Sequence, residues 1–316
     1  MIKSPICELL GIKYPLFQGG MAWIADANLA AAVSNAGGLG LISSINFSTE
    51  AVRDEIRKCK TLTDKPFGVN IMLQAPNAGE VADLVIEEGV KIVTTGAGSP
   101  AAYIKKWKEA GVIVIPVVAS TAYAIKMEEL GADAVVAEGA ESGGHIGDLH
   151  TMALVPQIVE AVNIPVLAAG GIFDGRGAAA AFMLGACGVQ MGTRFLVAEE
   201  CLVHQNYKDR LIKASDIGTI VTGKTLGDAV RCLKNPFSRK FYKMELDPAV
   251  SKEEVLALGT GSLKKAVVDG DFSAGSFLAG EVAGLVSKIE PAASIVEDVM
   301  MGAERLMKNA PTLLTD

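Results

Sequence analysis

Eight apolar segments, bounded by glycine or a polar turn and separated by helix-like patterns, predict an α/β protein built on a (β/α)8 TIM barrel. Two further observations support that class. The strand-like cores are continuously apolar, as in Val112-Ile113-Val114-Ile115, which is how parallel strands covered on both faces read. Glycine is abundant, 34 of 316 residues, beside many Ala, Val and Ile, which suits an enzyme with glycine turns at its strand ends. A doubly wound open sheet is the alternative.

Taken in order, the strands are expected at residues 15–19, 39–43, 67–72, 92–95, 112–118, 134–138, 165–169 and 188–192. Between them, apolar residues recur at helical spacing over 25–36, 49–59, 78–88, 101–110, 122–130 and 178–184. After Thr193 the alternation stops. Residues 201–270 are more polar and predict a small inserted second domain, leaving 1–200 and 271–316 to the barrel and its C-terminal helices. The amphipathic segment 292–307 is expected to pack outside the barrel.

Composition excludes several classes. A chain that is 50% hydrophobic and 21% charged folds rather than remaining disordered. A net charge of −7 argues against a nucleic-acid partner. No apolar run reaches the roughly 18 residues of a membrane span. The start, Met1-Ile2-Lys3-Ser4-Pro5, has no signal-peptide core. Cys7, Cys59, Cys187, Cys201 and Cys232 are odd in number and form no C-x-x-C pair. A disulfide framework or metal site is therefore not expected, and a cytoplasmic location is.

In a barrel of this kind chemistry gathers at the C-terminal ends of the strands. The first strand ends in Gln18-Gly19-Gly20-Met21-Ala22 and the third in Asn70. The sixth ends in Glu138, followed by Gly143-Gly144-His145. The seventh ends in Gly170-Gly171 and the eighth in Gln190-Met191-Gly192-Thr193. The last two ends form a candidate phosphate seat, because glycine lets backbone N–H groups approach an anion. Asp174 stands at a plausible N-cap, which would aim a helix N-terminus at the same anion. The alternative is a pair of ordinary tight turns. A phosphate held here belongs to a sugar phosphate or to a cofactor. No lysine stands at a strand end for Schiff-base chemistry, and no carboxylate cluster stands ready for a divalent cation. A glycine-lined, uncharged rim suits a flavin ring.

His145 is the histidine placed to move a proton near neutral pH, or else it is bonded within its own loop. His150, opening a helix, and His204 read as surface residues. Glu138 and Glu141 form a possible carboxylate pair, read here as one ligand contact and one solvated acid. Met21 and Met72 line an acyl channel or simply fill space, and Cys187 reads as core.

These residues carry a resemblance. Residues Tyr14-Pro15-Leu16-Phe17-Gln18-Gly19-Gly20-Met21-Ala22-Trp23, together with 64–72, 93–98, 138–147, 168–172 and 190–195, resemble the FMN-dependent enoyl-acyl-carrier-protein reductase II (FabK) family along essentially the whole chain. Nitronate monooxygenases are similar, sharing the barrel, FMN and the Gly-Gly-His loop. Glu138, where many of them carry Gln, favours the reductase. The resemblance implies FMN phosphate on Gly170, Gly171, Gly192 and Thr193. It implies ring and ribityl contacts from Met21, Ala22, Asn70, Glu138, Gly143, Gly144, Gln190 and Met191. It further implies NADH or NADPH as co-substrate, an enoyl thioester on acyl carrier protein as acceptor, and His145 as the catalytic proton donor. A possible monovalent cation and a homodimer belong to the same expectation. The basic run 231–243 would then face the acidic carrier protein or the extra phosphate of NADPH, or be a solvated face.

Overall fold

The computed structural model describes residues 2–45 and 47–313; residues 1, 46 and 314–316 of the expected barrel unit lie outside them. Strands β1 (Leu16–Gln18), β2 (Gly40–Ser43), β3 (Phe67–Met72), β4 (Ile92–Gly96), β5 (Ile113–Val118) and β6 (Val135–Glu138) come first. The short β7 (Gly144–His145) precedes β8 (Val166–Ala169) and β9 (Gly188–Met191). All of these except β7 form an 8-stranded parallel sheet in the order β1-β9-β8-β6-β5-β4-β3-β2. A parallel bridge between Phe17 and Leu39 closes it, so the body is the expected (β/α)8 barrel.

The closing seam is narrow, and a side chain completes it. Gln18 N donates to Leu39 O at 3.0 Å, and Leu39 N to Leu16 O at 2.8 Å. Beyond them the Gln18 amide takes over, accepting from Leu41 N at 3.1 Å and donating to Leu41 O at 3.3 Å. Gln18 therefore ends β1 as a structural residue, not as a ligand contact.

Helices begin where short polar side chains satisfy their free N–H groups. Asp26 accepts from Leu29 N, Ser48 from Ala51 N and Ser120 from Tyr123 N. The helix Gly175–Met183 starts three residues earlier than the apolar spacing indicated, because Asp174 caps it. The strand cores bury both faces, as their unbroken apolarity predicted. Leu41, Ile92, Ile115, Val136 and Leu167 fill the barrel interior. Their neighbours Ile42, Val93, Val114, Val135 and Ala168 meet the helices. At Gly40 helix and strand lie so close that a Cβ would stand 1.9 Å from Ala30 O.

The first helix had no signal in the apolar spacing. The helix Pro5–Leu10, capped by Ser4 and ended by Gly11 at φ 68°, plugs the lower end of the barrel with Ile6 and Leu10. The Ser4 hydroxyl pins it to Cys187 O.

The 201–270 segment holds helices Gln205–Ile212, Pro236–Leu246, Lys252–Gly259 and Ser262–Val267. It also holds two strands, β10 (Thr219–Thr222) and β11 (Val230–Leu233), which pair antiparallel. β11 pairs on its other edge with β7, placing Val230 against His145 and Arg231 against Gly144. The helix Ala292–Asn309 returns to the barrel exterior, where Gly302 packs on Gly175.

Candidate active site

A cavity of about 490 Å³ opens at the C-terminal ends of the barrel strands. It gathers His145 and the residues expected to hold the cofactor. Met21 and Ala22 come from β1, Asn70 from β3, Glu138, Gly143, Gly144 and His145 from β6 and its loop. Gly170 and Gly171 follow β8, and Gln190, Met191, Gly192 and Thr193 end β9. No lysine or arginine is among its described lining residues.

Its polar groups are placed by the fold. Asn70 Oδ1 accepts from Thr94 Oγ1 at 2.9 Å, which leaves the amide nitrogen toward the cavity. Gly20 lies against the same side chain, so closely that a Cβ would stand 2.3 Å from it. Gln190 Oε1 is buried at the cavity wall without a hydrogen-bond partner among the described residues. A buried polar atom left unpaired costs about 1–3 kcal/mol, so this oxygen is a candidate acceptor for a bound group. Glu138 lies deep in the mouth, and burial pushes its carboxyl up to about 7. A hydrogen bond from the Ser142 hydroxyl opposes that shift.

Gly170 and Gly171 sit at φ 92° and 69°, a turn that only glycine adopts without strain. A Cβ on Gly170 would stand 2.8 Å from Gly139 O. Thr193 Oγ1 accepts from Gly280 N at 2.9 Å, keeping its own proton free to donate. Asp174 caps the helix Gly175–Met183, as expected. The Asp174 carboxylate accepts from Arg176 N at 2.9 Å and pairs with its guanidinium at 2.7 Å, away from the cavity lining.

His145 is exposed at the rim, with Nε2 3.1 Å from Asp228 Oδ1. Asp228 was not visible in the sequence. It follows a glycine turn in the polar segment, and only the pairing of β7 with β11 brings it to the cavity. Leu278, Gly280 and Val282 of the returning chain also line the mouth without a sequence signal.

Glu141 is not a solvated acid. It accepts from Thr151 N at 3.0 Å and from Thr151 Oγ1 at 2.9 Å, capping the helix Thr151–Ala161. His150 occupies that helix's N-cap position, and His204 Nδ1 accepts from Asn206 N at 3.1 Å. Burial pushes the Cys187 thiol up to about 11, unsuited to nucleophilic work. Among the described residues no His, Cys, Asp and Glu cluster could hold a metal ion, and no helix is long and apolar enough to cross a membrane.

Comparison with known proteins extends this description. Residues 3–302 match the family model described as nitronate monooxygenase. The solved structure of FabK from Thermotoga maritima superposes with a TM-score of 0.97 at 47% identity, covering 99% of this chain and 100% of that one. The (3aS,4S,5R,7aS)-5-hydroxy-7a-methyl-1-oxo-octahydro-1H-indene-4-carboxyl-CoA dehydrogenase of Mycobacterium tuberculosis is 36% identical, with 99% of each chain covered. A probable nitronate monooxygenase of Staphylococcus saprophyticus is 33% identical over 97% of this chain and 99% of its own length.

Proposed function

The chain belongs to the nitronate monooxygenase family, and from that premise we propose that this oxidoreductase is an FMN-dependent enoyl-acyl-carrier-protein reductase using NADH or NADPH. The reaction would be the last step of the bacterial fatty-acid elongation cycle. The observation that carries this reading is the end-to-end likeness to FabK at 47% identity. The carboxyl-CoA relative adds support for a thioester substrate.

The residues present fit the cofactor. The unpaired Gln190 Oε1 matches a donor on a ring edge, and the Gly170-Gly171 turn matches a phosphate. When bound, FMN supplies hydride transfer from a nicotinamide to the β-carbon of an enoyl thioester. Gly170, Gly171, Gly192 and Thr193 would hold the phosphate. Met21, Ala22, Asn70, Glu138, Gly143, Gly144, Gln190 and Met191 would frame the ring and ribityl chain. His145, oriented by Asp228, would hold the proton destined for the α-carbon or the thioester oxygen. Residues 201–270 would act as an inserted unit carrying β11 to that loop. A cytoplasmic homodimer stimulated by a monovalent cation completes the proposal.

The family model supports a second reading, oxidation of alkyl nitronates with O2. One experiment separates the two. Under argon, NADH or NADPH should bleach the flavin spectrum and crotonyl-CoA should restore it. A flavin that resists nicotinamide but turns over propionate 3-nitronate with O2 replaces the reductase reading.

A further inference from the structure

The basic run at 231–243 does not survive folding as one patch. Arg231 turns inward, donating from Nε to Ala140 O at 3.1 Å and pairing with Glu281 at 3.0 Å. Lys234 Nζ donates to Ile217 O at 2.7 Å. The other cations stand on the helix Pro236–Leu246, which buries Phe237 and Ser238.

On its open side Arg239, Lys240 and Lys243 are exposed. Among the described residues they make no ion pair or side-chain hydrogen bond. Tyr242 and Leu246 beside them are 42% and 54% exposed. Arg239, Tyr242, Lys243 and Leu246 recur at i, i+3, i+4 and i+7, which is one stripe of a helix. Arginine and tyrosine are enriched at protein interfaces, where apolar contact and charge work together. The stripe also opposes the chain's overall charge of −7.

Its position ties it to the cavity. Thr225 Oγ1 donates to Glu245 O at 3.3 Å, next to Leu246. Asp228, three residues beyond Thr225, lines the cavity and meets His145. The C-terminal end of the helix thus contacts the turn that carries Asp228.

We infer that the Arg239–Tyr242–Lys243–Leu246 stripe docks a small acidic carrier protein that delivers its thioester to the cavity on a flexible arm; the inference rests on the reductase reading. Charge complementarity selects an acidic partner, and Tyr242 with Leu246 supplies apolar contact that a lone phosphate would leave unused. A convex helix surface encloses no nucleotide. Three cations fall short of the roughly four to eight that read as a lipid-binding cluster.

The test is the double variant Arg239→Glu/Lys243→Glu. Steady-state rates are measured with one enoyl group on acyl carrier protein and on CoA, at low and high salt. The KM for the carrier-bound substrate should rise about tenfold with kcat held, while the CoA thioester is unaffected. The wild-type KM for the carrier should rise with salt, and the variant's should not. An unchanged carrier KM, an equal change for both thioesters, or a change confined to NADPH overturns the inference. Calorimetric titration of acyl carrier protein into wild type and variant reads docking without turnover. Binding by wild type alone supports the stripe even if neither thioester is reduced, a result that would sink the reductase reading separately.

Discussion

Glu138 shows how one residue's setting decides its chemistry. Burial raises its carboxyl from 4.5 to about 7. Between those values the folded chain keeps a proton that the unfolded chain has released. The associated stability is complete below about 4.5 and is lost as pH rises through about 7, a span of at most about 3 kcal/mol. Glu138→Gln removes this titration. The melting temperature of the cofactor-free variant should therefore gain on wild type between about pH 5 and pH 8. A constant difference across that range would show a solvated carboxyl. Gly20 makes the complementary point about space. Gly20→Ala drives a methyl into Asn70, which Thr94 holds in place. Overpacking of this kind costs about 1–3 kcal/mol, so FMN affinity in a fluorescence titration should fall tenfold or more with far-UV dichroism unchanged. The glycines and amides of the site were legible because strand ends are legible. Asp228 was not, since its place depends on a pairing between segments far apart in the chain.

Elements were readable where both faces of a strand are buried, because such strands appear as unbroken apolar runs. β10, half-buried, and β11, whose run is broken by Arg231, were not, and the six-residue plug Pro5–Leu10 is too brief to show a period. The chain's hold on its C-terminal helix was equally hidden. Arg194, 4% exposed, pairs with Glu290 at 3.1 Å and Asp298 at 2.8 Å, donates to Phe173 O at 2.9 Å and lies over the Phe173 ring. Against the pull of burial, Lys288 and Arg194 hold the Glu290 carboxyl below its usual range. Arg194→Ala leaves that carboxylate undercompensated and should cost about 3–5 kcal/mol in urea unfolding. Arg194→Lys should recover only part of it, because a compact ammonium lacks the planar fork and ring contact. Full recovery would reduce the role of Arg194 to charge alone.

At the scale of the molecule, the barrel carries the cavity while His145 belongs to a strand that pairs with the 201–270 segment. The candidate proton donor thus stands where the barrel loop and the 201–270 segment meet. His145→Gln should leave bleaching by nicotinamide intact and slow reoxidation by the enoyl thioester a hundredfold or more, as stopped-flow absorbance would record. Equal slowing of both half-reactions would instead assign His145 to holding the mouth together.

The floor of the barrel sets a schedule for biosynthesis. The plug and its partner Cys187 are pinned across 183 positions, and β1 must wait for β9. On the ribosome Ile6, Leu10 and Ile12 emerge long before the strands that enclose them, and closure of so distant a contact is slow. The nascent chain therefore carries an uncovered apolar end until its last barrel strand is out, the condition in which a chain is most prone to aggregate.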